Sequence, residues 1–174
     1  DSVLELLLAW QRRELPAWVD RDAATRPLAA LSGPSIAPEV ARRLPASVAV
    51  AADDTLLADR VQALLNRPYF RIYTNPDLVG LEIAGAAKNV IAIAAGILDG
   101  LQAGDNAKAA LVTRGLAEIV RLGQAAGGRA ETFFGLAGVG DLITTCTSPI
   151  GRNRCFGQAV GQGGRADVAE APVR

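Results

Sequence analysis

One lysine, Lys88, interrupts an apolar run of Ala, Ile and Gly within the segment Gly85-Ala-Ala-Lys-Asn-Val90. An ammonium in such a helix is costly unless it is paired or its pKa falls, and a lowered pKa suits acid–base work. The bland alternative is a lysine at a helix edge whose head reaches water. Against that, the three small residues before it, Gly85, Ala86 and Ala87, leave room for a second group to approach. The chain has no histidine, the side chain most often used as acid or base near neutrality, and its only lysines are Lys88 and Lys108. Proton transfer then falls to Lys, Asp, Glu, Tyr or Cys.

Four further groups could share in chemistry. Asn89 is either a surface amide or a two-sided hydrogen-bonding group suited to a substrate hydroxyl or a carboxamide. In Gly138-Val-Gly140-Asp141-Leu-Ile-Thr144-Thr145, Asp141 and Thr145 stand four apart on one helical face. An N-terminal cap followed by a helical threonine gives the same pattern. Gly151-Arg152-Asn153-Arg154 reads as a helix start. Arginines beside exposed helix N–H groups suit a phosphate dianion, though solvated arginines are as common there. Gly33-Pro34-Ser35 follows a short apolar run, and the strand ends of open α/β sheets bind ligands. An ordinary tight turn looks alike.

The elements that must position these residues alternate at first. Residues 3–14 have helical spacing and stop before Pro16. Leu28 to Leu31 reads as a strand, followed by the turn and a helix over Ile36–Leu44. Strands are expected at 46–52 and 70–74, with an amphipathic helix at 55–65 between them and a turn at Asn75-Pro76. Such alternation indicates part of a parallel α/β sheet. From Asp77 onward the pattern is helical. Residues 79–101 are apolar on every face, as in a helix inside a core. Asp105 or Asn106 is expected to cap the next helix, which stops at Gly127-Gly128 and pairs Arg114 with Glu118 on its outer face. Shorter helices are expected at 130–136, 139–146 and 152–161. A domain boundary near residue 76 follows, with residues 1–76 α/β and 77–174 all-helical.

Composition narrows the function classes. The 174 residues are 50% apolar, and 18 basic residues balance 18 acidic ones. No net field or basic block points to nucleic acid. The longest apolar stretch, taken as Val90–Leu98, is short for a membrane span. Without a charged-then-apolar leader, and with two cysteines lacking metal-like companions, a cytoplasmic protein with reduced thiols is expected. Gly161-Gln-Gly163-Gly-Arg-Ala166 matches G-x-G-x-x-A but follows a helix, where a dinucleotide loop must follow a strand.

Five segments together carry a family signature: LSGPSIAPEVARRLP (31–45), EIAGAAKNVIAIAAGILDGL (82–101), GDNAKAALVTRGLAEIVRLG (104–123), FFGLAGVGDLITTCT (133–147) and GRNRCFGQAVGQG (151–163). In order and spacing they closely resemble the bacterial type of NAD(P)-dependent glycerol-3-phosphate dehydrogenase. The resemblance implies an α/β remnant of a Rossmann-like parallel sheet followed by an all-α substrate domain. It implies an oxidoreductase that uses NAD or NADP to interconvert dihydroxyacetone phosphate and sn-glycerol 3-phosphate, supplying glycerol phosphate for phospholipid synthesis, with a homodimer common among such enzymes. On it, Lys88 corresponds to the catalytic lysine, and Asn89, Asp141 and Thr145 to residues around it. Gly33, Ser35, Gly151, Arg152 and Asn153 fall at substrate positions, and Ala37 and Arg152 at cofactor positions. Gly151 replaces the family's usual serine and Ile36 its usual aromatic. The Gly-rich nucleotide loop has no counterpart here, so the chain is expected to be a fragment, inactive by itself. Two other readings stay open: a related two-domain hydroxy-acid dehydrogenase, and a non-catalytic helical dimerisation module.

Overall fold

The computed structural model describes residues 27–164. The helix expected at residues 3–14 lies outside them. Three strands form one sheet in the order β1 (Ala29–Ser32), β2 (Ala46–Ala52), β3 (Phe70–Asn75). Strands β2 and β3 run parallel, Val48 opposite Ile72, and the helix α2 (Thr55–Leu65) forms the crossover between them. Strand β1, however, is antiparallel to β2, with Ala29 opposite Ala52 and Ser32 opposite Ala49. The expected parallel sheet is therefore a mixed one. The connection explains the reversal: α1 (Ala37–Ala41) has five residues, and at about 1.5 Å per residue it is too short to carry the chain back along a strand. Arg43, at φ 61°, turns the chain directly into β2.

The uninterrupted apolar character of Ala46–Ala52 follows from burial on both faces. Val48 and Val50 pack with Ala58 and Ile72 beneath α2, while Ala49 and Ala51 point the other way, against Leu81 and Ala137. The second face is covered by the long helix α3 (Leu78–Gly100) and by a π-helical turn at Leu136–Gly140. Helix α3 also organises the helical half, where Ala84, Ala92 and Ala95 share a core with Ile119, Phe133, Leu142 and Cys146. The remaining helices are α4 (Asp105–Ala125), α5 (Ala130–Phe133), α6 (Asp141–Thr147) and α7 (Arg152–Gly161).

Several local expectations change. Helix α3 is not buried all round: Val90 is 68% exposed. With 23 residues and a mean hydropathy of 1.6 in its most apolar window, α3 is long and apolar enough to cross a membrane by length and composition. The stretch weighed in the sequence was only part of it. Here α4, α6 and α7 pack against part of its surface. Gly104, at φ 87°, is the N-cap of α4 with no side-chain bond, and Asp105 is instead the first helical residue. An acidic residue there still interacts favourably with the helix dipole. Glu118 faces Arg121 at 3.9 Å rather than Arg114, and both are too exposed for the pair to matter much. The helix expected at 130–136 ends at Phe133, and the one expected from residue 139 starts at Asp141 after the π-helical turn.

Helix α7 lies unusually close to α3, and four glycines make this possible. A Cβ on Gly96 would overlap the carbonyl of Arg154, one on Gly157 the carbonyl of Ile93, and one on Gly161 the carbonyl of Ile97. Gly100 meets the Gln158 carbonyl in the same way. Each helix offers two glycines four residues apart, on one face of its backbone. The glycines read in the sequence as a misleading nucleotide loop thus belong in part to a helix-packing seam.

Candidate active site

The amine of Lys88 is ion-paired with Asp141, the first residue of α6, which is 4% exposed. A lone buried ammonium or carboxylate would be costly, and each here removes the other's penalty. Two hydroxyls complete the carboxylate's shell. Ser32 donates to the oxygen that Lys88 holds, at 3.3 Å, and Thr145 donates to the other oxygen, also at 3.3 Å. Asp141 is thus no N-terminal cap; its side chain turns inward from the helix start. The i,i+4 spacing of Asp141 and Thr145 gives a real contact.

One residue further along α3, Asn89 accepts a hydrogen bond from the Asn153 amide at 2.8 Å. This bond joins the helix that carries Lys88 to the first turn of α7. Gly151 is the α7 N-cap without a side-chain cap bond, and Arg152 opens the helix. Arg152 is exposed and makes no hydrogen bond or ion pair with another described residue. Its neighbour Arg154 is fully committed: the guanidinium bonds Asp99 at 2.5 Å and the Ser148 carbonyl at 2.7 Å. Lys108 pairs with the other oxygen of Asp99. Burial alone would raise the Asp99 carboxyl, but the hydrogen bonds and charges of Lys108 and Arg154 outweigh it and hold it below its ordinary value.

The Gly33-Pro34-Ser35 turn closes the same end of the sheet. Gly33 is buried at φ 148°, and a Cβ there would lie 2.8 Å from the Val48 Cα. Glycine is required on both counts. The Ser35 hydroxyl donates to the Gly33 carbonyl at 3.1 Å. Pro34 abuts Gly140, just before Asp141, so the turn borders the α6 start. A cavity of about 310 Å³ lined by Pro34, Ile36, Glu39, Val40, Ser47 and Thr144, among others, lies beside this turn, not at the ion pair. Ala37 opens α1 and is exposed.

Sequence reasoning missed Ser32, Asp99 and Asp77. Ser32 lies 109 residues from Asp141 and carried no signal. Asp77 did carry one, a capping-type residue just before the apolar run. It is the N-cap of α3 and accepts from the N–H of Gly80 at 2.8 Å, the N–H of Arg129 at 2.7 Å and the hydroxyl of Thr132 at 2.7 Å.

A family model described as the C-terminus of NAD-dependent glycerol-3-phosphate dehydrogenase matches residues 77–174. The chain belongs to that family. It is 54% identical over 151 residues to a glycerol-3-phosphate dehydrogenase [NAD(P)+] of Clostridium botulinum, covering 87% of this chain and 46% of the relative. A Janthinobacterium enzyme of the same name is 58% identical over 137 residues, covering 79% of this chain and 41% of the relative. The crystal structure of glycerol-3-phosphate dehydrogenase from Coxiella burnetii superposes with a TM-score of 0.83 at 46% identity, over 86% of this chain and 46% of that one. The chain therefore spans less than half the length of these relatives.

Proposed function

We propose that the protein containing this chain interconverts dihydroxyacetone phosphate and sn-glycerol 3-phosphate with NAD or NADP. The observation that supports this reading best is the Lys88–Asp141 pair, set one residue from the Asn89–Asn153 bond that ties it to the Arg152 helix start. A proton-carrying group and an anion handle, joined through one helix, suit a small phosphorylated carbonyl compound.

The described residues fit one end of a dinucleotide rather than all of it. Gly161 ends α7 with Gly163 and Gly164 just beyond it, and Gly138–Gly140 belongs to the π-helical turn, so neither is a strand-to-helix phosphate loop. Ala37 and Arg152, both exposed, are the residues that would border the cofactor. When bound, the nicotinamide supplies or accepts the hydride at C2. The chain's own residues would do the rest. During reduction negative charge develops on the C2 oxygen. The Lys88 ammonium stabilises that charge and then gives up its proton, acting most strongly in the transition state. Asp141 holds the ammonium in place, and Thr145 holds Asp141. Arg152 and Asn153 bind the phosphate and so orient C2 from a distance, with Gly33, Ser35 and Gly151 lining the substrate. Asn89 fixes Asn153.

The same reading makes residues 1–76 the end of a nucleotide-binding domain and 77–174 a substrate-binding one. It also places the protein in the cytoplasm, as a homodimer supplying glycerol phosphate for phospholipid synthesis. The deciding experiment is Lys88→Ala in a version extended to the relatives' length, assayed on dihydroxyacetone phosphate and on β-hydroxy acids. Turnover of dihydroxyacetone phosphate should fall by about three or more powers of ten with nucleotide affinity little changed. A few-fold loss removes Lys88 from the acid–base role, and a preference for β-hydroxy acids overturns the substrate.

A further inference from the structure

We infer that Ser32 is a positioning residue for the Lys88–Asp141 pair, and that Gly85 is a glycine because it must leave the Ser32 hydroxyl in place. The inference rests on the reading of Lys88 just given, and it assigns a function to two residues that the reading leaves idle. Ser32 ends β1, far from α6 in sequence, yet its hydroxyl lies 3.3 Å from the Asp141 oxygen that Lys88 holds. Thr145 binds the second oxygen from within α6 itself, so it travels with Asp141 and cannot fix that helix against the sheet. Ser32 is the contact that ties the carboxylate to the strand bearing the Gly33–Ser35 turn. It thereby fixes the ammonium's direction relative to that turn.

Gly85 lies one helical turn before Lys88 on α3. A Cβ built on it would stand 3.0 Å from the Ser32 hydroxyl oxygen and 3.7 Å from the Ser32 Cβ. Outside the backbone of α3 itself, no other described residue comes within 4 Å of that position. Of these two contacts only the one to the hydroxyl is tight, so a methyl there makes the hydroxyl rotate or shift by a few tenths of an ångström. Helix propensity favours alanine over glycine in mid-helix, so the glycine needs a local reason. The hydroxyl supplies it.

The geometry makes a double-mutant cycle decisive. In the extended enzyme, Ser32→Ala should lower kcat about five- to thirtyfold, the effect of one long hydrogen bond to a charged group, while KM for dihydroxyacetone phosphate changes less than about threefold. KM is spared because the phosphate contacts lie on α7. Gly85→Ala should reproduce a smaller kcat loss, with thermal stability unchanged or raised. In the Ser32→Ala background Gly85→Ala should cost nothing more, since no hydroxyl is left to displace. Ser32→Thr, which keeps the hydroxyl beside the space Gly85 leaves open, should restore most of kcat. A cycle independent of activity uses the 174-residue chain, whose only lysines are Lys88 and Lys108. With 13C-labelled lysine, the ε-carbon signal of Lys88 should move in Ser32→Ala and Gly85→Ala, while that of Lys108 stays fixed. Unchanged kcat and an unmoved Lys88 signal in Ser32→Ala overturn the inference, as do strictly additive effects in the cycle. If the parent enzyme ignores dihydroxyacetone phosphate but the lysine signals behave as stated, the substrate reading fails and the positioning of Lys88 by Ser32 survives.

Discussion

Replacing Asp77 by Asn changes one atom at the joint where the sheet meets the helical half. The carboxylate is 6% exposed and accepts from three donors, one on α3, one on α5 and one at the α5 N-cap. One oxygen takes the Gly80 N–H and the other takes both the Arg129 N–H and the Thr132 hydroxyl. An asparagine that keeps the Gly80 bond must turn an NH2 group toward two donors. Hydrogen bonds to a charged group contribute about 1.5–3 kcal/mol each, and rotation of the Thr132 hydroxyl recovers part of one, so the expected loss is about 3–4 kcal/mol. That is a large fraction of a domain's usual stability. Urea denaturation of the chain followed by far-UV circular dichroism measures it. With a slope of about 2 kcal/mol/M, the midpoint should fall by about 1.5–2 M. A pH series adds a second check. Burial alone would raise the Asp77 carboxyl, but the Arg129 N–H, the Thr132 hydroxyl and the Gly80 N–H outweigh it and hold it below its ordinary value. The folded chain thus binds fewer protons at acid pH than the unfolded chain. The stabilisation is complete above the ordinary carboxylate value of about 3.9 and is lost as the pH falls through the lower folded value. The gap between parent and variant should therefore narrow only below about pH 4. A midpoint shift under about 0.5 M at pH 7 refutes the argument, because it means the three donors are satisfied without the charge.

Arg152→Ala in the extended enzyme should cost about one to two powers of ten in kcat/KM for the phosphorylated substrate, with some loss of nucleotide affinity. Unchanged discrimination between glycerol and glycerol 3-phosphate removes the phosphate role. Gly157→Ala drives a methyl into the Ile93 carbonyl and should destabilise the chain by about 2 kcal/mol or more, with loss of the Asn89–Asn153 bond readable from the asparagine side-chain NMR signals. An unaltered melting temperature contradicts the seam. Burial pushes the Cys146 thiol up to about 11, so a disulfide-exchange reagent at pH 8 should modify Cys155 and reach Cys146 only after unfolding. Equal rates in the native chain contradict the buried assignment.

What was legible in the sequence follows from how local each cause is. The strand at 46–52 and the helix at 55–65 declare themselves through short-range pattern, and the structure has both within those bounds. The direction of β1 was not legible, because it depends on the length of the α1 connection rather than on β1's own residues. Asp105 looked like a cap because its type favours that position, but Gly104 with its positive φ starts the helix one residue earlier. Lys88 and Asp141 were both marked as unusual, yet nothing local pairs them across 53 residues. The resemblance to the family brought them together before the geometry did. Ser32 was beyond reach by either route, and Gly85 was legible only as room beside Lys88, since the contact between the two exists only where β1 passes α3.

The two arginines of Gly151-Arg-Asn-Arg154 show how packing sorts identical side chains into different tasks. Arg154 faces α3, where Asp99 and the Ser148 carbonyl absorb its donors. The glycine seam forces that outcome, because Gly96 sits against the Arg154 backbone and brings the guanidinium within reach of Asp99, one turn further along α3. Arg152, two residues earlier, points away from the seam and keeps its donors. Lys108 adds a second cation to Asp99, so that carboxylate has little left with which to draw Arg152 inward. Among the described residues, the α7 start therefore presents an uncommitted guanidinium next to the unpaired N–H groups of a helix N-terminus, and both favour an anion. The same seam that removes Arg154 from use sets the position of Asn153 against Asn89, and through Asn89 the distance from the α7 start to Lys88. Lengthening the α3–α7 separation by a single methyl should thus disturb phosphate handling and proton transfer together, whereas loss of Arg152 alone should disturb the first far more than the second.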